Sequence, residues 1–162
     1  MAIYLPVGSL LYFNTLPGTL TDTLKLTEHN RQPVSFNTSR IEKIQRMSNG
    51  SLRKFFVADK RTITVSWNML PSYKAMTIDG GMGALDLKAF YNGTAAKATA
   101  ALSGQTSFDL LVRYGAGTVG TTEVIPVIFS SFSIELLKRN VKEKTADTAQ
   151  EFWNVSLSVE EI

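Results

Sequence analysis

The stretch Thr62-Ile63-Thr64-Val65-Ser66-Trp67-Asn68-Met69-Leu70 decides the fold. Its large apolar residues fall on every second position. Ile63, Val65, Trp67 and Met69 lie on one side, and Thr62, Thr64, Ser66 and Asn68 on the other. Successive side chains of an extended chain point to opposite faces, so the alternation predicts a half-buried strand ended by Pro71. The same period recurs at the C-terminus, where Trp153, Val155, Leu157 and Val159 alternate with Asn154, Ser156, Ser158 and Glu160. A third copy sets Phe132, Ile134 and Leu136 against Ser131, Ser133, Glu135 and Leu137. Shorter strands are expected at Thr23–Thr27, with Leu24 and Leu26 inward, and at Phe108–Tyr114.

Upstream of the deciding stretch, Asn49-Gly50 separates Arg40–Ser48 from Ser51–Ala58. Both residue types tolerate positive φ, so a type I′ hairpin turn is expected there. Asp59-Lys60-Arg61 is expected to turn the chain into the Trp67 strand, giving a three-strand meander. In the first arm Ile41, Ile44 and Met47 recur every third residue, which fits a bulged strand or a short helical turn. In the second, Lys54-Phe55-Phe56-Val57 reads as a strand burying Phe55 and Val57. One segment reads as helix: Ala84–Tyr91 has no β-branched residue, carries an apolar stripe of Leu85, Leu87, Phe90 and Tyr91, and ends at Asn92-Gly93. Residues 94–107, rich in Ala, Thr and Ser, read as a surface connection. The sum is a mainly β protein, an antiparallel β-sandwich or barrel with one flanking α-helix. Fourteen serines and 17 threonines suit the wet face of such a sheet.

The 162 residues fit one domain, residues 1–162, and 44% hydrophobic against 19% charged residues excludes a disordered chain. No cysteine is present, which excludes disulfide scaffolds, thiolate metal sites and cysteine nucleophiles. Met1–Thr21 has no charged residue, but Pro6, Gly8, Pro17 and Gly18 interrupt it and a basic leader region is missing. No apolar run reaches the roughly 20 residues a bilayer needs. A soluble protein of a reducing compartment, with no membrane span, is therefore expected. Net charge is +3, unevenly placed. Arg40, Lys43, Arg46, Arg53, Lys54, Lys60 and Arg61 face only Glu42 and Asp59, whereas the chain from Glu135 onward holds four basic and six acidic residues. A basic segment of this kind meets phosphate, an acidic membrane surface or an acidic protein face.

Catalytic constellations are weak. His29 is the single histidine and lies in the polar run Glu28-His29-Asn30-Arg31-Gln32, so it reads as a loop residue without triad partners. Asp79-Gly80-Gly81-Met82-Gly83 precedes the helix, but Ala84-Leu85 follow where a phosphate loop needs Lys-Ser/Thr. These glycines read as room for the turn into the helix. Asp79 with Asp86, and Glu160 with Glu161, are carboxylate pairs by type alone; strand neighbours such as Glu160 and Glu161 point apart. No enzyme, cofactor or metal site is expected. Phe55 and Phe56 among basic residues also fit a single-strand nucleic-acid platform, and a monomeric nucleic-acid-binding β-barrel is the alternative of a different class.

The run Ser39–Gly50, with Arg53-Lys54, Ala58-Asp59-Lys60-Arg61, Thr64-Val65-Ser66-Trp67 and Leu70-Pro71, resembles the tail tube proteins of tailed bacteriophages. The glycines and helix, Phe132-Ser133-Ile134 and Phe152–Leu157 are similar to that family in order and spacing, so the resemblance spans most of residues 39–162. It implies a structural, non-enzymatic β-sandwich whose hexameric rings stack into a hollow tube. Inner strands would join around a channel that DNA transits without specific binding. Partners would be the chain's own copies, with sheath, baseplate and terminator proteins. The location would be the virion tail, after assembly in the host cytoplasm. Residues 1–38 would include an assembly arm. A tube initiator, a terminator, a baseplate protein or a secretion-system tube share the resemblance. Lumens of this family are expected to be acidic, so the basic hairpin would face another ring, a sheath or the outside. Arg40, Lys43, Arg46, Arg53, Lys54, Lys60 and Arg61 are accordingly expected to contact acidic residues of neighbouring subunits, with the stretch from Glu135 to Ile162 as the source.

Overall fold

A computed structural model of the chain describes residues 9–14, 23–92, 107–114, 121–140 and 150–162. Most of the uncharged N-terminal run, Gly93 and residues 94–106 of the expected surface connection lie outside them. Seven strands and one α-helix are seen: β1 (Leu11–Asn14), β2 (Thr23–Lys25), β3 (Ser35–Arg46), β4 (Leu52–Pro71), α1 (Ala84–Asn92), β5 (Phe108–Tyr114), β6 (Thr121–Asn140) and β7 (Gln150–Glu161). They form one antiparallel sheet in the order β2-β1-β5-β6-β7-β4-β3. The sheet wraps around its core. The indole Nε1 of Trp67, in the sixth strand of that order, donates 2.8 Å to the carbonyl of Thr27, just past the first. Within residues 1–38, Leu11–Asn14 is a buried strand between β2 and β5.

Two of the three periodic stretches supply the core as their alternation predicts; in the third, Phe132 and Ile134 are only half-buried against it and Leu136 is 48% exposed. Ile63, Val65 and Trp67 of β4 pack with Val155, Leu157 and Val159 of β7, fully buried. A second centre is aromatic. Phe90 of α1 stacks on Phe13 at 4.7 Å, and Phe108 meets both rings edge-on at 5.0 and 5.4 Å. The helix thus seals the core with Ala84, Leu87 and Phe90. Thr62, Thr64, Ser66, Ser156 and Ser158 line the opposite face, on which no described element packs.

Four expectations are corrected. Met69 does not enter the core. The β4–β7 register shifts between Trp67 and Leu70, Met69 takes φ +54° and is 47% exposed, and Leu70 fills the inward place. Two residues opposite one reset the alternation, which is what a β-bulge does. Asp59-Lys60-Arg61 is not a turn, because β4 runs unbroken through it for 20 residues. Its polar side chains are satisfied along the way: Asp59 by Arg40, Arg61 by Glu161, and Lys60 Nζ by the carbonyl of Ile162. The hairpin turn is not type I′, since only Gly50 has positive φ (+84°). Met47 N–H bonds Ser51 O and Gly50 N–H bonds Met47 O, the pattern of a three-residue loop with glycine in the left-handed position. Finally, Phe55 and Val57 are not buried; they are 52% and 72% exposed.

The Ile41-Ile44-Met47 segment resolves as strand. All of β3 pairs with β4, with one irregularity: Ile41 faces Ala58 and Glu42 faces Phe56, leaving Val57 as the extra residue.

Candidate functional site

β7 pairs with β4 only from Thr62 onward, while β3 follows β4 down to Leu52. Residues 39–61 therefore form a two-stranded ribbon projecting from the barrel end, and β3 is the terminal strand of the sheet. Almost every residue of this ribbon is exposed, including Ile41, Ile44, Leu52 and Phe56. Apolar side chains on an edge strand in water are costly to leave uncovered and invite pairing with another chain.

The register sorts the ribbon into two faces. Residues directly opposite share a face. On the face continuous with the core lie Arg40 opposite Asp59, Glu42 opposite Phe56, Ile44 opposite Lys54 and Arg46 opposite Leu52. On the face continuous with the open hydroxyl face lie Ser39 opposite Lys60, Ile41 opposite Ala58, Lys43 opposite Phe55 and Gln45 opposite Arg53. Phe55 and Phe56 thus point to opposite sides.

The structure divides the seven basic residues. On the core-side face, Arg40 grips both oxygens of Asp59 at 2.8 and 3.1 Å, and its guanidinium lies 5.4 Å from the Phe56 ring centre. This hydrogen bond holds the Asp59 carboxyl below the usual range and raises Arg40. Lys54 pairs with Glu42 at 2.7 Å, and Arg46 donates to Gly50 O at 2.9 Å. At the base of the ribbon Arg61 bonds Glu161 (3.0 Å) and Glu123, lowering the Glu161 carboxyl and raising its own affinity for protons. Glu161 is thereby a partnered residue of the sheet. Lys43 and Arg53 have no ion-pair or hydrogen-bond partner among the described residues. Glu135 and Glu160, from the acidic C-terminal stretch, are exposed on the open face over the barrel.

The catalytic candidates are occupied by structural work. The buried Asp79 carboxylate accepts from Thr27 Oγ1 (2.7 Å), Glu28 N (2.9 Å) and Gly81 N (3.0 Å). Burial pushes its acidity down, but these donors outweigh that and hold the carboxyl below its ordinary value. Asp86 accepts from Gly83 N and Lys74 N at the start of α1. His29 is half-buried, its Nδ1 accepting from Ile78 N at 3.3 Å. A Cβ on Gly81 would lie 2.5 Å from Thr27 Cα, and one on Gly83 2.6 Å from Tyr73 N, so these glycines serve close packing. Among the described residues no three His, Asp or Glu side chains group as metal ligands, and no helix is long and apolar enough to cross a membrane. The open face holds a shallow trough of about 300 Å³ with Ser66, Asn68, Ser133, Glu135, Asn154 and Ser156 along it, a lining of hydroxyls and amides with one carboxylate.

Sequence reasoning found the basic hairpin but missed its projection. A signal was available: cations at both parities of the ribbon, Arg53 beside Lys54 and Arg40 three positions from Lys43, leave neither face able to enter a core. The chain matches no protein-family model, and no curated protein is significantly similar to it in sequence.

Proposed function

We propose that this protein is a structural subunit of a bacteriophage tail tube, without enzymatic activity, that self-assembles into stacked hexameric rings around a channel for DNA. The reading rests on the resemblance of residues 39–162 to that family. One observation carries it: the ribbon of residues 39–61 leaves Ile44, Leu52 and Phe56 exposed, with none of the described residues covering them. Burying them against a sister subunit would recover roughly 1.5–3 kcal/mol per large apolar side chain. The curled sheet, with one described helix over its core, suits such a role. Sheath, baseplate and terminator proteins would be further partners, and the virion tail the location. A tube initiator, terminator, baseplate protein or secretion-system tube would differ in how far stacking proceeds.

Negative-stain micrographs of the purified chain test the proposal, with rings or hollow tubes as the expected result. Replacing Ile44, Leu52 and Phe56 together by Ser should abolish them while leaving circular dichroism unchanged. A wild-type chain that remains monomeric at high concentration, by sedimentation and in micrographs, would overturn it.

A further inference from the structure

The two faces of the projecting ribbon differ in how their charge is balanced. On the core-side face every acidic residue of the ribbon is present: Asp59 neutralises Arg40 and Glu42 neutralises Lys54, while Arg46 at the tip donates to the carbonyl of Gly50. Ile44, Leu52 and Phe56 lie between them. That mixture of apolar anchors and matched ion pairs suits a protein partner, whose interfaces favour large apolar groups and exclude uncompensated lysine.

The open face of the same ribbon has no carboxylate at all. Its charged residues are Lys43, Arg53 and Lys60, set among Ser39, Gln45 and the half-exposed ring of Phe55. Lys60 is tied to the carbonyl of Ile162, but Lys43 and Arg53 have no partner among the described residues. Lys43 stands directly across from Phe55, and Arg53 two residues along the strand on the same side. Two free cations flanking an accessible aromatic face are the elements that grip a phosphate backbone and stack a base. The zone also continues into donors of a compatible kind, since Asn37, Thr62 and Thr64 follow on that face toward the barrel. Glu160 and Glu135 lie farther on, over the barrel itself, so the positive zone is confined to the ribbon.

We infer that the open face of the ribbon, through Lys43, Arg53 and Phe55, contacts the phosphate backbone of nucleic acid without reading its sequence. This goes beyond the proposed tube, whose lumen DNA passes unheld, and it does not depend on assembly, because the surface lies within one subunit. Such a contact is electrostatic and weakens with salt as counterions are released.

The test is fluorescence anisotropy of the full chain with a labelled single strand of about 20 nucleotides and a duplex of the same length, between about 50 and 200 mM salt. Two double variants, each removing two positive charges, separate the faces: Lys43→Gln with Arg53→Gln, and Arg40→Gln with Lys54→Gln. The first is expected to weaken binding at least about tenfold and to flatten the salt slope by nearly 2 on the duplex. The second is expected to change affinity less than about threefold. Phe55→Ala should weaken the single strand more than the duplex. Equal losses from both pairs, or no binding by the wild-type chain, would overturn the inference. So would unchanged DNA affinity in the first variant coupled to loss of its tubes, which would assign the face to protein. Binding with the expected pattern from a chain that forms no tubes would support the contact and overturn the assembly reading.

Discussion

The two halves of β4 are built from similar residues and meet opposite fates. Between Ile63 and Leu70 the apolar side chains other than Met69 are sealed from water, whereas between Leu52 and Val57 they stand half or more exposed. Neither hydrophobicity nor β-propensity separates the halves. What separates them is the neighbour. The first half has β7 on one edge and the helix-covered core beneath it; the second has only β3. Burial is therefore a property of the assembled sheet and only secondarily of the residue.

Breaking the buried half should have the largest effect. Trp67→Ala removes the largest core side chain and its hydrogen bond to Thr27, and is expected to cost about 3–5 kcal/mol. Urea denaturation followed by circular dichroism would read this as loss of most of the folded state.

A smaller effect is expected where the loop before α1 is pinned. Asp79→Asn replaces a carboxylate accepting three donors and should cost about 1–3 kcal/mol at neutral pH. The folded-state carboxyl is held below its ordinary value, so its stabilisation is complete above about pH 5 and fades as pH falls through the unfolded and then the folded value. The difference in urea midpoint between wild type and Asp79→Asn should accordingly shrink below about pH 4. A difference that stayed constant from neutral pH to pH 3 would contradict that sign.

The smallest effect belongs to the exposed half. Phe56→Ser should change the stability of the isolated subunit by no more than about 0.5 kcal/mol, in contrast to its part in abolishing tubes. If the urea midpoint instead dropped as it does for Trp67→Ala, the ribbon would be part of the subunit's own core and the contrast between the halves would be gone.

Much of the barrel was legible in the sequence because alternation is a local property. β7, the inner half of β4 and the helix follow from residues within a few positions of each other. The misreadings share one cause, dependence on residues far along the chain. Asp59-Lys60-Arg61 looked like a turn because its partners at Glu161 and Ile162 are about a hundred positions away. Met69 looked buried because nothing nearby announces that Asn154 will face two residues at once. Phe55 and Val57 looked like core because a strand pattern states which side chains share a face and is silent on whether anything lies against it. The basic cluster was visible as composition; its partition into matched and unmatched cations needed the register.

That partition hangs on Val57. Counting back from Ile63 by twos reaches Arg53 and Phe55 on the core side, but the extra residue at Val57 acts as a frameshift and exchanges the sides of everything from Leu52 to Phe56. Excising that one valine would leave the present pairs, and so the present sides, in an unbroken ladder. Drawing it into the ladder opposite Glu42 would instead slip every residue from Leu52 to Phe56 one place along β3, turning the unmatched arginine to the glutamate's side and its matched lysine neighbour outward.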